Sequence, residues 1–394
     1  MRILGDLMEQ VRGLSYSKKD VLNKPFEGYK PVLRAGNIQQ GQIVEDNYVY
    51  VHEDLIKEKQ LLKEGDILIA ASSGSLSIVG KAAMVDNNME ATFGAFCKVL
   101  RPKKEVIYQG YFKHYFETKY YKRTIRSLAE GANINNLRTG HFDNLEIPLP
   151  PLDQQKKIAA ILDAADTYRQ KTKALITKYD ALTQSLFLDM FGDPVNNPKG
   201  WGILTVRDII EEAKYGTSSK AVENGSYCYL RMNNITYKGY MNYSKLKYIN
   251  MAEEQVYKYE TKKGDILFNR TNSKELVGKT GIITSDEKMI LAGYLIRVRM
   301  QERYNPYFLW AHLNSKWAKQ TLENMCKNIV GMANINAQEL QNIIVLNPPF
   351  DLQNQFAERV QAIEAQKAQA QASLVQAEDL FNSLLQRAFK GELV

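Results

Sequence analysis

Two stretches of the chain carry a helical period sustained far longer than in an ordinary globular domain. In residues 151–192, spacings of three and four alternate through Ile158, Ile161, Ala165, Tyr168, Thr172, Leu175, Tyr179, Leu182 and Leu186. Residues 349–394 repeat the pattern at Phe356, Val360, Ile363, Lys367, Ala370, Leu374, Ala377, Phe381, Leu384 and Ala388. A seven-residue repeat of this kind puts one stripe on one helix face, and that stripe seeks another helix. The pattern predicts two helices of nearly 40 residues, about 55 to 60 Å long at about 1.5 Å per residue, with paired seams. Each follows a proline pair, Pro150-Pro151 or Pro348-Pro349, with Asp153 and Asp351 as the expected N-caps. Gly192-Asp193-Pro194 stops the first helix, and Gly391 lies just past the second.

The remainder, residues 1–150 and 193–348, reads as short strands and turns, and the two segments are copies of one frame. Leu33-Arg34-x-x-Asn37-Ile38 returns as Leu230-Arg231-x-x-Asn234-Ile235, and Gly65-Asp66-Ile67-Leu68 as Gly264-Asp265-Ile266-Leu267. Farther on, Val79-Gly80-Lys81 matches Val277-Gly278-Lys279, and Ala132-Asn133-Ile134-Asn135 matches Ala333-Asn334-Ile335-Asn336. These matches keep one order at a spacing of about half the chain, which marks an internal duplication. Two heads, each closed by its own prolines and long helix, follow. The fold class expected is α+β, with two mixed domains in pseudo-twofold arrangement on two long helices.

Composition changes this picture only in part. The 394 residues carry 52 Lys and Arg against 44 Asp and Glu, a net charge of +8 that fits a polyanionic partner such as nucleic acid. Cys97, Cys228 and Cys326 are too scattered for a disulfide framework or a Cys-x-x-Cys metal site, so a reducing, cytoplasmic setting is expected. Neither a signal peptide nor a stretch of about 20 apolar residues is present, so a soluble, untargeted protein is expected.

Candidate contact residues lie in two places in each head. After Gly-Asp-Ile-Leu comes a small polar loop, with Ser72, Ser73, Ser75 and Lys81 in the first head and Asn269, Arg270, Thr271, Asn272, Lys274 and Lys279 in the second. Such side chains pair with base edges and phosphate oxygens, and the loops differ within matching frames, as two readers of different half-sites require. Arg34 with Asn37, and Arg231 with Asn233 and Asn234, form a second candidate surface; a repeated Arg at a frame position equally fits a buried structural pair. Asn135, Asn136 and Asn336 shape a turn or face a ligand. The aromatic run Tyr108, Tyr111, Phe112, Tyr115, Phe116, Tyr120 and Tyr121 has helical spacing and belongs to a core rather than to a base-stacking platform.

Catalytic patterns are missing. Asn347-Pro348-Pro349-Phe350 has the form that amino-methyltransferases use on their target amino group, yet its counterpart is Leu149-Pro150-Pro151-Leu152 and both run straight into the long helices. His52, His114, His141 and His312 show no metal-ligand spacing, and neither a G-x-S-x-G elbow nor a phosphate-binding loop occurs. A chain without catalytic, cofactor or metal residues of its own is expected. Two readings remain, a DNA-binding subunit and a coiled-coil scaffold that bridges proteins without reading DNA.

The prolines leading into Asp153-Gln154-Gln155-Lys156-Lys157-Ile158, the stretch Ser185-Leu186-Phe187-Leu188-Asp189-Met190-Phe191-Gly192-Asp193-Pro194, Asn197-Pro198-Lys199-Gly200-Trp201 and Leu384 to Leu393 together resemble Type I restriction-modification specificity subunits over the whole chain. The resemblance implies two target-recognition domains, each reading half of a bipartite site in double-stranded DNA. It also implies two helices that pair antiparallel as a coiled coil. Two DNA-methyltransferase (modification) subunits and restriction/translocase subunits would be the partners, and S-adenosylmethionine, ATP and Mg would sit on them. The corresponding boundaries are 1–150 and 193–348 for the recognition domains and 151–192 and 349–394 for the helices.

Overall fold

The computed structural model describes residues 1–129, 135–329 and 332–393; Ala132, Asn133 and Ile134 of the repeated frame lie outside the described residues. The chain forms two compact units, Met1–Lys171 with Ser373–Val394, and Thr172–Ala372. Each takes half of each long helix.

In the first unit an antiparallel sheet runs in the order Ala82–Met84, Ile67–Ala70, Cys97–Pro102, Met8–Arg12. The Ile67–Ala70 strand is apolar throughout because both of its faces are covered. Successive side chains of a strand point to opposite faces. Ile67 and Ile69 accordingly meet Tyr111, Phe112 and Tyr115, while Leu68 and Ala70 meet Leu33 and Phe93 of a second sheet. That sheet has the order Thr92–Phe93, Tyr29–Leu33, Val49–His52, Val21–Leu22, its first pair parallel.

The second unit repeats the design. Its antiparallel sheet runs Ile210–Tyr215, Leu295–Met300, Ile266–Asn269, Thr280–Ile282, and Met289–Leu291 again lies parallel to Tyr227–Leu230. Ile266 and Phe268 face Phe308 and Leu309, and Leu267 faces Leu230 and Leu291. The Gly-Asp turns before the central strands need glycine, since Gly65 and Gly264 both sit at φ +90°. The aspartates that follow are buried and paired, Asp66 with Arg101 at 2.8 Å and Asp265 with Arg299 at 2.9 Å. Most of the aromatic run is core, as its spacing predicts: Tyr111, Phe112, Tyr115, Phe116 and Tyr121 are buried, whereas Tyr108 is half-buried and Tyr120 exposed. A strand closes each head, two residues in the first (Arg2–Ile3 with Glu146–Ile147) and four in the second (Gly202–Thr205 with Ile344–Asn347).

The long helices span Leu152–Phe191 and Phe350–Lys390. Gly192, at φ +83°, and Gly391, at φ +79°, follow their last residues as expected. The N-caps differ from expectation. The carbonyls of Pro151 and Pro349 already accept helical hydrogen bonds, so Asp153 and Asp351 sit inside the first turn, where a carboxylate favours the helix dipole. Buried glutamines complete each joint. The side chain of Gln155 accepts from Tyr108 N at 2.8 Å and donates to Pro150 O at 2.8 Å; Gln353 accepts from Asn305 N at 3.0 Å and donates to Pro348 O at 2.9 Å.

Arg169 lies over the Phe381 ring at 4.1 Å, Asp180 meets Lys367 at 2.7 Å, and Phe187 and Phe191 pack on Phe356. Positions rise along one helix as they fall along the other, so the pair is antiparallel. On the second helix the expected seam is buried or half-buried throughout. On the first, alternate seam positions lie one residue later than the apolar spacing indicates. Leu162, Arg169, Ile176 and Thr183 turn inward, while Ile161, Tyr168, Leu175 and Leu182 are exposed. The sequence misleads here because the inner face accepts polar side chains with partners, as Arg169 has in Phe381, Glu117 and Asp166. We expect Leu162→Ala, at a fully buried position (0% exposed), to cost about 2–5 kcal/mol and Ile161→Ala, 39% exposed, less than about 1 kcal/mol, read by denaturant unfolding.

In the first unit His114 is buried between two carboxylates, Nε2 at 2.8 Å from Asp163 on the long helix and Nδ1 at 3.3 Å from Glu117. Burial alone lowers its pKa, but the hydrogen bonds and charges of Asp163 and Glu117 outweigh it and hold the imidazole above the ordinary 6.5. Both carboxyls are held below their ordinary values by His114, helped by Arg169 beside Glu117 and Lys113 beside Asp163, against the upward push of burial. A raised histidine pKa stabilises the fold fully below the unfolded value and loses that contribution as pH climbs through the folded one. The carboxylates lose theirs on acidification, so the joint is strongest between about pH 5 and 6.5. The melting temperature lost in His114→Gln should therefore be largest near about pH 6 and shrink toward about pH 8 in a thermal scan series.

Candidate nucleic-acid interface

The two candidate surfaces of each head prove to be one. In the first unit the turn after Leu33 and the loop after Ala70 flank a groove of about 1000 Å³, with Tyr16, Arg34, Asn47, Ser72, Ser73 and Phe96 in its walls. In the second unit the equivalent groove, about 710 Å³, is walled by Ser219, Arg231, Asn233, Arg270, Thr271 and Tyr294. The parallel strand pair brings these segments together. Tyr29–Leu33 and Tyr227–Leu230 run beside Thr92–Phe93 and Met289–Leu291, and the turns after those strands accept main-chain hydrogen bonds from Ala71 and Arg270, so the Arg turn emerges next to the loop.

Several predicted residues are framework rather than contact. Asn37 accepts from Arg34 N at 2.9 Å and donates to Val44 O and Asp46 O; Asn234 accepts from Arg231 N at 2.9 Å and donates to Asn242 O. Both are buried and hold the turn that aims the arginine. Asn269 is buried with its amide on Leu276 O at 3.2 Å. Lys279 is buried too, its ammonium donating to Met232 O at 2.7 Å and Ile235 O at 2.6 Å, and burial pulls its pKa down. The reason is common to all four: each sits at a strand end or tight turn, where its polar group satisfies a backbone partner that water cannot reach. Lys81, at the position matching Lys279, is exposed.

The others are exposed or half-buried. Arg34 is exposed, with one guanidinium nitrogen on Asn47 O at 2.6 Å; Arg231 reaches Lys245 O at 3.4 Å. Arg270 stacks over Tyr215 at 4.9 Å. The Nε atoms of Arg231 and Arg270 are buried and have no hydrogen-bond partner among the described residues. Ser72 and Ser73 pair as a short strand with Asn136 and Asn135, and Thr271 and Asn272 with Asn334 and Ala333. Thr271 Oγ1 bonds Asn334 Oδ1 at 2.9 Å, and Asn272 reaches the Met232 sulfur at 3.7 Å. Ser75 lies outward with Ser77 at 2.8 Å, and exposed Lys274 meets Glu323 at 3.9 Å. Asn336 is a helix N-cap, accepting from Gln338 N and Glu339 N.

Sequence reading missed Tyr16, Asn47, Ser219, Phe96 and Tyr294. The signal that could have found the last two is the duplication itself, for an aromatic recurs at one frame position between equivalent strands. Among the described residues, no three His, Cys, Asp or Glu side chains group as metal ligands, and no helix is long and apolar enough to cross a membrane. Asn347, suspected as a methyltransferase motif, ends the strand Ile344–Asn347 just before the second long helix. The arrangement offers guanidinium, hydroxyl and amide donors in two grooves on one backbone plan.

The family described as Type I restriction modification DNA specificity domain matches residues 1–178 and again 198–376, so the duplication is matched copy for copy. The chain is 32% identical to the Type I restriction enzyme EcoKI specificity subunit of Escherichia coli strain K12, over 97% of this chain and 86% of that protein. It is 31% identical to the StySPI specificity subunit of Salmonella potsdam over the same shares. The crystal structure of the S subunit of a Type I restriction-modification system from M. genitalium has the same fold, with a TM-score of 0.61 at 16% identity over 98% of this chain and 95% of that one. Matched in both of its copies by that family and along nearly its whole length by these relatives, the chain belongs to the family of Type I restriction-modification specificity subunits.

Proposed function

We propose that this chain reads a bipartite site in double-stranded DNA, one half in each groove, as the specificity subunit of a Type I restriction-modification complex. The observation that carries the reading is the pair of equivalent grooves whose strands match while their side chains differ. Equal backbones with unequal contacts are what two half-sites of different sequence call for. The guanidinium groups of Arg34, Arg231 and Arg270 in the groove walls favour it over a scaffold that ignores DNA, since a guanidinium can meet guanine with two parallel donors.

The chain itself is non-catalytic in this reading. Two modification subunits supply methyl transfer with S-adenosylmethionine, and restriction subunits supply ATP- and Mg-dependent cleavage, all in the cytoplasm. The exposed apolar positions Ile161, Leu175 and Leu182, spaced in multiples of seven on the first long helix, support helical partners, because such a row is a place for a further helix to pack.

Modularity tests the function. With partners present, exchanging residues 200 to 347 for the matching segment of a relative should change one half of the methylated sequence and preserve the other, as mapped in host DNA. A chimera that alters both halves would show that the heads are not independent readers. Within one head, Arg270→Ala should weaken binding to the mapped site by about 1–3 kcal/mol and to random DNA far less. Asn234→Ala should act oppositely, lowering folding stability by about 1–3 kcal/mol through the orphaned turn amides. Parallel melting and binding measurements separate the two.

A further inference from the structure

Both grooves expose a large aromatic at the same place. Phe96 is 71% exposed and Tyr294 55% exposed, while Phe93 and Leu291, at the strand ends just before these turns, are buried. Each aromatic occupies the tip of a tight turn that leads into the next strand of the central sheet, Cys97–Pro102 or Leu295–Met300.

The same hydrogen bonds pin both turns. Cys97 N donates to Gly94 O and Leu295 N to Ala292 O, each at 2.8 Å, closing the turn. The Phe96 carbonyl accepts from Ala71 N at 2.9 Å and Ser72 N at 3.0 Å, and the Tyr294 carbonyl accepts from Arg270 N at 3.0 Å, tying the turn to the contact loop. On the other side Leu14 N donates to Phe93 O and Thr217 N to Leu291 O. These strands come so close that a Cβ on Gly13 would lie 2.1 Å from Gly94 O, and one on Gly216 would lie 2.3 Å from Leu291 O. A scattered exposed aromatic needs no explanation. An exposed aromatic held by one rigid scaffold at the centre of both candidate interfaces does.

We propose that Phe96 and Tyr294 are specificity-determining wedges, each packing its ring against bases of the half-site that its own groove reads. The inference rests on the DNA-reading function above. The ring adds apolar contact with base faces or a thymine methyl to the polar contacts of Arg34 and Arg231, and base–aromatic contact depends on local stacking. The turn's backbone is satisfied by the protein, so the ring enters without reordering the loop.

The test uses the chain assembled with its modification subunits and fluorescent duplexes carrying the site mapped by methylation, with random duplex as control. Phe96→Ala and Tyr294→Ala should each lose about tenfold in affinity for the site and little for random duplex. Each should relax base preference only within one half-site, a different half for each variant. Phe96→Tyr and Tyr294→Phe, which keep the ring, should retain most of the discrimination, and all four should melt as the parent does. An unchanged ratio of specific to random affinity in the folded alanine variants, or an equal loss on both duplexes, would overturn the inference alone. A parent complex that does not discriminate the two duplexes would overturn the DNA-reading function and the inference with it.

Discussion

One buried amide at the foot of each long helix sets the rest of the molecule in place. Gln155 and Gln353 lie where neither water nor another side chain can satisfy them, so each must meet a proline carbonyl at the helix start and a backbone amide of the head's own short helix. A buried carboxamide left unpaired costs about 1–3 kcal/mol, which penalises any other angle between helix and head. The prolines stiffen the approach. The direction in which each helix leaves its head is thus a property of the fold.

The two copies of the frame keep this joint and vary what lies around it. His114 and His312 occupy equivalent positions on equivalent helices, yet the first lies between Glu117 and Asp163, whose hydrogen bonds and charges raise its pKa. The second donates from Nε2 to Ile344 O at 3.0 Å, packs on Phe187 and Trp317, and is pushed down to about 4 by burial. Lys81 and Lys279 diverge likewise, one exposed and one buried on carbonyls. A shared backbone fixes where a side chain stands and leaves its role to the neighbours.

That division explains what could be read from the sequence. Duplication, the two helices, their glycine stops and the aromatic core follow from periodicity and repetition, which report backbone geometry. The groove-lining residues were only partly legible. Arg34, Arg231 and Arg270 do line the grooves, but Asn37, Asn234 and Asn269 share their chemistry and are consumed by turns, a distinction that depends on burial. The first helix's seam shifted for the same reason: Arg169 and Thr183 look like surface residues until their burial is seen, while Leu175 and Leu182 look like core. That the Arg turn and the polar loop form one surface depends on a parallel strand pairing between segments some sixty residues apart, which local pattern does not encode.

The polar loops are tied to the aromatic turns through main-chain hydrogen bonds, Ala71 and Ser72 to Phe96, Arg270 to Tyr294. Main-chain bonds are blind to side-chain identity. The surface facing the ligand can therefore drift through many substitutions while the fold beneath it stays intact, and a new preference can arise one residue at a time without passing through a misfolded ancestor. Two such surfaces on one chain drift independently, so the repertoire open to a lineage grows as the product of the two rather than their sum.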